Sequence, residues 1–288
     1  MLTEFHPLAH VVVKHVRDAF IDDQTIAAHW QRLHFTAPPK LTRAVDEFER
    51  FVDLLRAAGA RVEYLPRNEQ TTLDSIYVRD ASIVCEGGVI LCNMGKRSRS
   101  EEPAAHEHAF RALGSPAIVG RIEEPGRLEG GDVLWLSPRI IVAGRGYRTN
   151  AEGIAQLRAF LADSIDELIE VPLPHWRGAA DVLHLMSLVS PVDSDLVVVY
   201  SPLLPVPFRE RLLDDGFTLV EVPDEEFVTM GTNVLALGPR RCLILSGNPL
   251  TRQALELAGA EVIEYDGREI SLKGAGGPTC LTRPIARD

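Results

Sequence analysis

The chain has 288 residues, 45% hydrophobic and 25% charged, with a formal net charge of −11. That is ordinary globular composition, and the acidic balance argues against non-specific nucleic-acid or anionic-membrane partners. No apolar run is long enough to span a bilayer, and the opening Met1-Leu2-Thr3-Glu4-Phe5-His6 lacks a basic or continuously apolar stretch, so secretion is not expected. The four cysteines, Cys85, Cys92, Cys242 and Cys280, have no CxxC spacing and three lie in apolar runs, which points to a reducing, cytoplasmic compartment.

In chain order the periodicities repeat one unit: strand, turn, strand, helix, strand. The first copy is loose, with an apolar run over 10–13, a long polar excursion, a helix over 41–57 and a strand over 61–65. The second pairs 81–85 with 89–92 across Gly87-Gly88, then reads as a helix near 104–113 and a strand near Ile118. The third pairs 132–136 with 140–143 and continues through an amphipathic stretch at 151–160 to a strand over 167–171. The fourth pairs 185–190 with 196–200, followed by a helix near 208–213 and a strand over 217–222. The fifth is the clearest: 233–237 pairs with 242–245 across Gly238-Pro239-Arg240, leading to a helix at 251–257 and a strand at 261–265.

Five such units without a linker predict one domain over residues 1–288. Each unit is too small to bury its own sheet face, and closing a ring removes exposed strand edges. The alternative is an open α/β sheet with inserted hairpins. Strict βαβ alternation would favour it, but apolar runs paired across Gly and Pro turns do not.

A ring places a ligand at its centre, touched by turns from several units, and unusual polar residues do recur just before unit hairpins. Asp74, Arg79 and Asp80 lie in Leu73-Asp-Ser-Ile-Tyr-Val-Arg-Asp80, Glu129 in Arg127-Leu-Glu-Gly-Gly-Asp132, and His184 in Asp181-Val-Leu-His-Leu185. Cys280 ends Gly274-Ala-Gly-Gly-Pro-Thr-Cys280, which lacks the Gly-Lys-Ser/Thr ending and following helix of a phosphate loop; its glycines serve better to bring the cysteine into a tight site. Singly, a histidine in an apolar run is an ordinary core or surface residue, and an acidic residue before Gly-Gly is an ordinary turn former.

Together they make one chemical set. A thiolate needs a cationic or hydrogen-bonding neighbourhood, and a histidine can supply it and carry protons. The surplus carboxylates suit a planar cation with several N–H donors. Neither a metal nor a cofactor is expected: His106 and His108 fall on different faces of a helix, and His6 and His10 have no cooperating ligands.

At these residues the sequence resembles the pentein superfamily of guanidine-modifying enzymes, most closely the dimethylarginine dimethylaminohydrolases, over essentially the whole chain. The resemblance rests on the stretch from Asp74 to Asp80, Leu-Glu-Gly-Gly-Asp at 128–132, Arg-Thr-Asn at 148–150, Leu-His-Leu-x-Ser at 183–187 and Gly-Gly-x-Thr-Cys at 276–280. It implies a five-bladed α/β propeller of ββαβ repeats with pseudo-fivefold symmetry, no cofactor, and a small arginine-like guanidino substrate, and it is compatible with a homodimer. It implies Cys280 as nucleophile, His184 as acid and base, and Asp80 and Glu129 as holders of the guanidinium nitrogens, with Glu129 also orienting His184. Asp74 would lie near the substrate α-amino group, Arg99 and Arg148 would bind the α-carboxylate, and Phe20 would stand on a covering loop where leucine is usual.

Two departures bear on the substrate. Met186 stands where arginine deiminases and amidinotransferases carry an acid and dimethylargininases usually carry lysine; it leans toward an alkylated guanidinium, which has fewer donors to offer. Arg79 replaces an acid found in some dimethylargininases and is more like the deiminase pattern. The expected reaction is hydrolysis of dimethylarginine or monomethylarginine to citrulline and the amine. Arginine or another guanidino acid is the alternative substrate, and a non-catalytic binding protein of this fold the remote alternative.

Overall fold

A computed structural model describes residues 2–178 and 183–288. Its strands are β1 (Leu8–Lys14), β2 (Arg61–Leu65), β3 (Ser82–Cys85), β4 (Gly88–Leu91), β5 (Ile118–Arg121), β6 (Val133–Ser137), β7 (Ile140–Arg145), β8 (Glu167–Pro172), β9 (Val189–Asp193), β10 (Leu196–Val199), β11 (Thr218–Glu221), β12 (Leu235–Gly238), β13 (Arg241–Leu245), β14 (Glu261–Tyr265) and β15 (Arg283–Arg287). They form five three-stranded sheets in the orders β15-β1-β2, β3-β4-β5, β6-β7-β8, β9-β10-β11 and β12-β13-β14. In every sheet the first pair is antiparallel and the second parallel. A parallel pair needs a crossover, and the helices Leu41–Ala57, Glu102–Leu113, Ala151–Leu161, Val206–Asp214 and Pro249–Leu257 supply one per sheet.

The middle strands are apolar because both of their faces are covered. All of Leu196, Val197, Val198 and Val199 in β10 are buried, as are Cys242, Leu243, Ile244 and Leu245 in β13. Helix Leu41–Ala57 buries Ala44, Val45, Phe48, Phe51, Val52 and Leu55, an i, i+3/i+4 stripe. Each fully buried Phe or Leu of that stripe contributes roughly 1.5–3 kcal/mol. The stripe joins a cluster with Phe20, Ile76, Leu243 and Leu281, so this helix locks the first sheet to the fifth and to the segment after Cys280.

Three sequence expectations change. The looseness of the first unit has a physical cause: its hairpin partner is β15, at the other end of the chain, where Pro284↔Val11 and Arg283↔Val12 are in register. The polar excursion after the first strand holds the short helices Val16–Ala19 and Asp23–His29, the second capped by Asp22 accepting from Thr25 N–H at 2.7 Å. In the fourth unit, Leu185–Ser187 is a 3-10 turn rather than the start of the strand, and β9 begins at Val189. Asp181 and Val182, expected to lead into that hairpin, lie outside the described residues. Among the described residues, no helix is long and apolar enough to cross a membrane.

Candidate active site

The first strand of each sheet is entered through a short turn, and each turn presents a polar side chain. Asp80 precedes β3, Glu129 β6, His184 β9, Asn233 β12 and Cys280 β15. Hydrogen bonds join each turn to the next. Arg79 N–H donates to Cys280 O at 3.2 Å and Gly130 N–H to Asp80 O at 2.9 Å. Leu185 N–H donates to Asp132 Oδ1 at 3.0 Å, and Ser190 Oγ donates to Thr232 O at 2.7 Å. Thr279 N–H donates to Asn233 Oδ1 at 3.0 Å, returning to the segment that carries Cys280. The five turns are therefore bonded into a cycle, which fixes the polar groups relative to one another.

Glu129, fully buried, is the hub. Its Oε2 meets His184 Nε2 at 2.7 Å and accepts from Arg148 Nη1 at 2.9 Å, while Oε1 accepts from Lys96 N–H at 2.9 Å. The Arg-Thr-Asn run divides the supporting work. Arg148 holds Glu129, Thr149 Oγ1 donates to Asp132 Oδ2 at 2.6 Å, and Asn150 accepts from Gly153 N–H at 2.9 Å to cap the helix that follows. Asp80 receives Arg99 Nη1 on Oδ2 at 2.5 Å, whereas its Oδ1 is buried, lacks a hydrogen-bond partner and lies 3.9 Å from His184 Nδ1. Asn233 Nδ2 donates to Cys280 Sγ at 3.4 Å, with its Oδ1 held by Thr279 N–H and Oγ1.

Charge follows from this packing. Burial alone would push the His184 imidazole down, but Asp80, Asp132 and Glu129 around it carry it up to about 9, so it stands as an imidazolium. Glu129 is buried, yet His184 and Arg148 hold it well below the usual carboxylate range. Asp80 is likewise lowered against its burial by His184 and Arg99. Burial and the Asp80 carboxylate push the Cys280 thiol up, and Asn233, Thr279 and the Gly277 N–H only partly oppose them. At neutral pH the free site holds Cys280 as a thiol and His184 as an imidazolium.

The family model described as "N,N dimethylarginine dimethylhydrolase, eukaryotic" matches residues 24–287. The N(G),N(G)-dimethylarginine dimethylaminohydrolase of Streptomyces coelicolor is 34% identical over 83% of this chain and 84% of its own length.

The chain belongs to the dimethylarginine dimethylaminohydrolase family.

As a member it is a cysteine-dependent amidine hydrolase acting on guanidino compounds. Solved structures show the same fold at lower identity. The dimethylarginine dimethylaminohydrolase of Pseudomonas aeruginosa, a Cys-to-Ser mutant complexed with citrulline, superposes with a TM-score of 0.76 at 24% identity, covering 96% of this chain and 98% of that one. The N-terminal domain of an arginine dihydrolase from cyanobacteria, bound to product, gives 0.79 at 19% identity, covering 96% and 97%.

In this dimethylargininase-family chain, the structure brings Asp80, Glu129, His184 and Arg148 into one connected cluster. Asp74 is buried, with Lys96 Nζ on its Oδ2 at 2.7 Å. Arg99 departs from the expected carboxylate grip. It is buried, with Nε and Nη2 on the two oxygens of Glu102 at 2.8 and 2.7 Å, Nη2 also on Tyr77 O, and Nη1 on Asp80. A guanidinium spent in this way positions Asp80 and has no open edge for a substrate carboxylate. Phe20 is fully buried, edge-on to Phe35, in the apolar cluster that packs against Cys280. It is followed by Ile21 at φ 67°, a strained conformation for a β-branched residue. Met186 is buried among Leu185, Leu188 and Val189, so no second carboxylate edge stands at that position. Arg79 does not face the cluster; its side chain reaches Glu4.

Sequence reasoning missed Lys96, Asp132 and Asn233. Asn233 had a findable signal, because it occupies in the fifth unit the place that Asp80, Glu129 and His184 occupy in theirs. Lys96 lies with Arg99 in the run Gly95-Lys-Arg-Ser-Arg99, where charge alone does not tell which cation turns inward.

Asp80, Glu129 and His184 offer ligand atoms within 4.8 Å of one another, a spacing a metal could use. The cations Arg99 and Arg148 already sit on these carboxylates, however, and a divalent ion would have to be buried against both. The backbone at Gly131 is as constrained as the side chains. A Cβ there would lie 2.6 Å from Asp80 Oδ1 and 2.7 Å from His184 Nδ1. Gly131→Ala is expected to lower kcat at least about tenfold with the chain still folded, because a displacement of this size is costly at a reacting centre. Steady-state kinetics alongside circular dichroism checks it, and an unchanged kcat would refute the close approach.

Proposed function

We propose that the chain hydrolyses Nω,Nω-dimethylarginine and monomethylarginine to citrulline plus dimethylamine or methylamine, through a covalent adduct on Cys280. One observation carries the reading: among the carboxylate oxygens of Asp80 and Glu129, only Asp80 Oδ1 is without a hydrogen-bond partner, and it is buried 3.9 Å from His184 Nδ1. A single open acceptor edge suits a guanidinium whose distal nitrogen is alkylated and cannot donate. With Met186 in the core, that position offers no second carboxylate of the kind two free amino groups would use.

The chemistry follows in order. A substrate guanidinium on Asp80 offsets the carboxylate that raises the Cys280 thiol, and it adds positive charge, so the thiol loses its proton to solvent as substrate binds. The thiolate attacks the guanidinium carbon to give a tetrahedral centre. The His184 imidazolium protonates the departing amine, the C–N bond breaks, and an amidino-type adduct remains on sulfur. Neutral His184 then takes a proton from water, the hydroxide adds, and cleavage of the C–S bond releases citrulline and the thiolate. Glu129 keeps the imidazole oriented and charged for the first half of this cycle.

At the other end of the substrate, Lys96 and Arg148 are the partly exposed cations of the cluster. In this reading they receive the α-carboxylate, and the α-ammonium shares Asp74 with Lys96. Phe20 and its cluster keep water from the sulfur. The chain acts as one cytoplasmic catalytic domain whose five sheets close as a five-bladed propeller. The cycle of hydrogen-bonded turns supports closure, and four unlinked cysteines suit a reducing compartment.

The test offers the purified chain arginine, monomethylarginine, asymmetric dimethylarginine and agmatine, and measures ureido product and released amine. Dimethylamine from asymmetric dimethylarginine is expected at the highest kcat/KM. Ammonia from arginine without any dimethylamine would replace this reading with arginine hydrolysis.

A further inference from the structure

Arg79, Arg283 and Arg287 are buried at the edge of a cavity of about 30 Å³ that none of the proposed catalytic residues lines. Glu4 is the only carboxylate among its lining residues. Arg79 Nη2 donates to Glu4 Oε1 at 2.7 Å, but Arg79 Nε and Nη1 are buried without a hydrogen-bond partner. Arg283 Nη2 donates to Arg79 O at 2.6 Å, and its Nε is likewise buried without one. The lining thus brings three guanidinium groups to one carboxylate and leaves donors on two arginines unused. Buried charge is retained only where it is neutralised and hydrogen-bonded, and water can satisfy the donors without supplying counter-charge.

We propose that this cavity is a binding site for a small oxyanion, a carboxylate or an inorganic anion of the phosphate class, held by Arg79 and Arg283. Guanidinium donors match planar or tetrahedral oxyanions, and the volume suits a ligand of a few heavy atoms. Neighbouring charge is consistent with this. Burial pushes Arg283 down to about 9, as for a cation short of counter-charge. Glu4, although buried, is lowered by Arg79, Arg287 and Arg283 together. The site is built from the segments that form the catalytic turns. Arg79 shares a peptide bond with Asp80 and donates its N–H to Cys280 O, and Arg283 begins the strand that follows Cys280. The proposal is independent of which guanidino compound is hydrolysed.

The experiment follows the unfolding temperature of the full chain in chloride-free buffer, titrated with sodium formate or sodium phosphate against sodium gluconate at matched ionic strength. A saturable rise with formate or phosphate, exceeding that with gluconate, is expected, and whichever saturates at lower concentration tells carboxylate from inorganic oxyanion. Arg79→Gln should abolish the saturable component. Glu4→Gln removes the internal competitor and should move half-saturation to at least several-fold lower concentration, which keeps the test decisive if Arg79→Gln does not fold. The proposal is overturned by an equal rise with gluconate, by no rise at all, or by a Glu4→Gln titration that is unchanged or weaker.

Discussion

Cys280→Ser is expected to lower turnover at least about a thousandfold while leaving the affinity for a guanidino ligand within a few-fold of the parent. A serine hydroxyl keeps the size and hydrogen-bonding capacity of the thiol, so Asn233 Nδ2, which donates to Cys280 Sγ at 3.4 Å, still has an acceptor. What is lost is ionisation. The thiol is already raised by burial and by Asp80, and an alcohol in the same place has no accessible anion to attack the guanidinium carbon. Asp80, Glu129, Lys96 and Arg148 are untouched, so ligand binding by calorimetry should persist while citrulline formation disappears. A serine variant that keeps a tenth of the parent kcat would rule out the covalent route.

Glu129→Gln should damage both stability and rate. Glu129 is fully buried and takes His184 and Arg148 on one oxygen and Lys96 N–H on the other. A neutral amide leaves two cations facing each other without their carboxylate. Breaking a buried pair in this way typically costs about 3–5 kcal/mol. A misdirected, less basic imidazole should also lose about 10²–10⁴ in kcat.

The pH dependence gives a separate readout. His184 stands at about 9 in the fold against an ordinary value of 6.5, so its contribution is fully present below pH 6.5 and is lost as pH rises through 9. That contribution is about 3 kcal/mol. Urea unfolding of the parent at pH 6.5 and 9.5 should show this loss, and Glu129→Gln should flatten it, though not erase it, because Asp80 and Asp132 remain. A parent whose stability is unchanged between those pH values would contradict the imidazolium–carboxylate pair.

Much of the fold was legible because it is local. The stripe in Leu41–Ala57 and the apolar middle strands are set by the period of the chain itself, and helix 41–57 and the strands at 61–65 and 261–265 fall where the pattern puts them. Boundaries moved where a turn could pass for a strand. Leu185–Ser187 is apolar enough to read as β, but Asp132 takes the Leu185 N–H and bends it into a 3-10 turn. The candidate site was legible for a related reason: Asp80, Glu129, His184 and Cys280 are chemically out of place in their runs and recur at one point of a repeat.

By itself, then, the sequence determined the five units, their order and which chemically unusual side chains recur at one point of them, since these depend on near-neighbour periodicity and on residue type. Only the tertiary structure decided what those groups face. It paired β15 with β1, a contact between the chain ends that no local pattern encodes. It turned Lys96 inward to Asp74 and spent Arg99 on Asp80 and Glu102. It sent Arg79 away from the buried polar cluster to Glu4 and put Asn233 beside the Cys280 sulfur. The direction of a long side chain is settled by partners distant in sequence, and the sequence cannot name those partners until the sheets are packed.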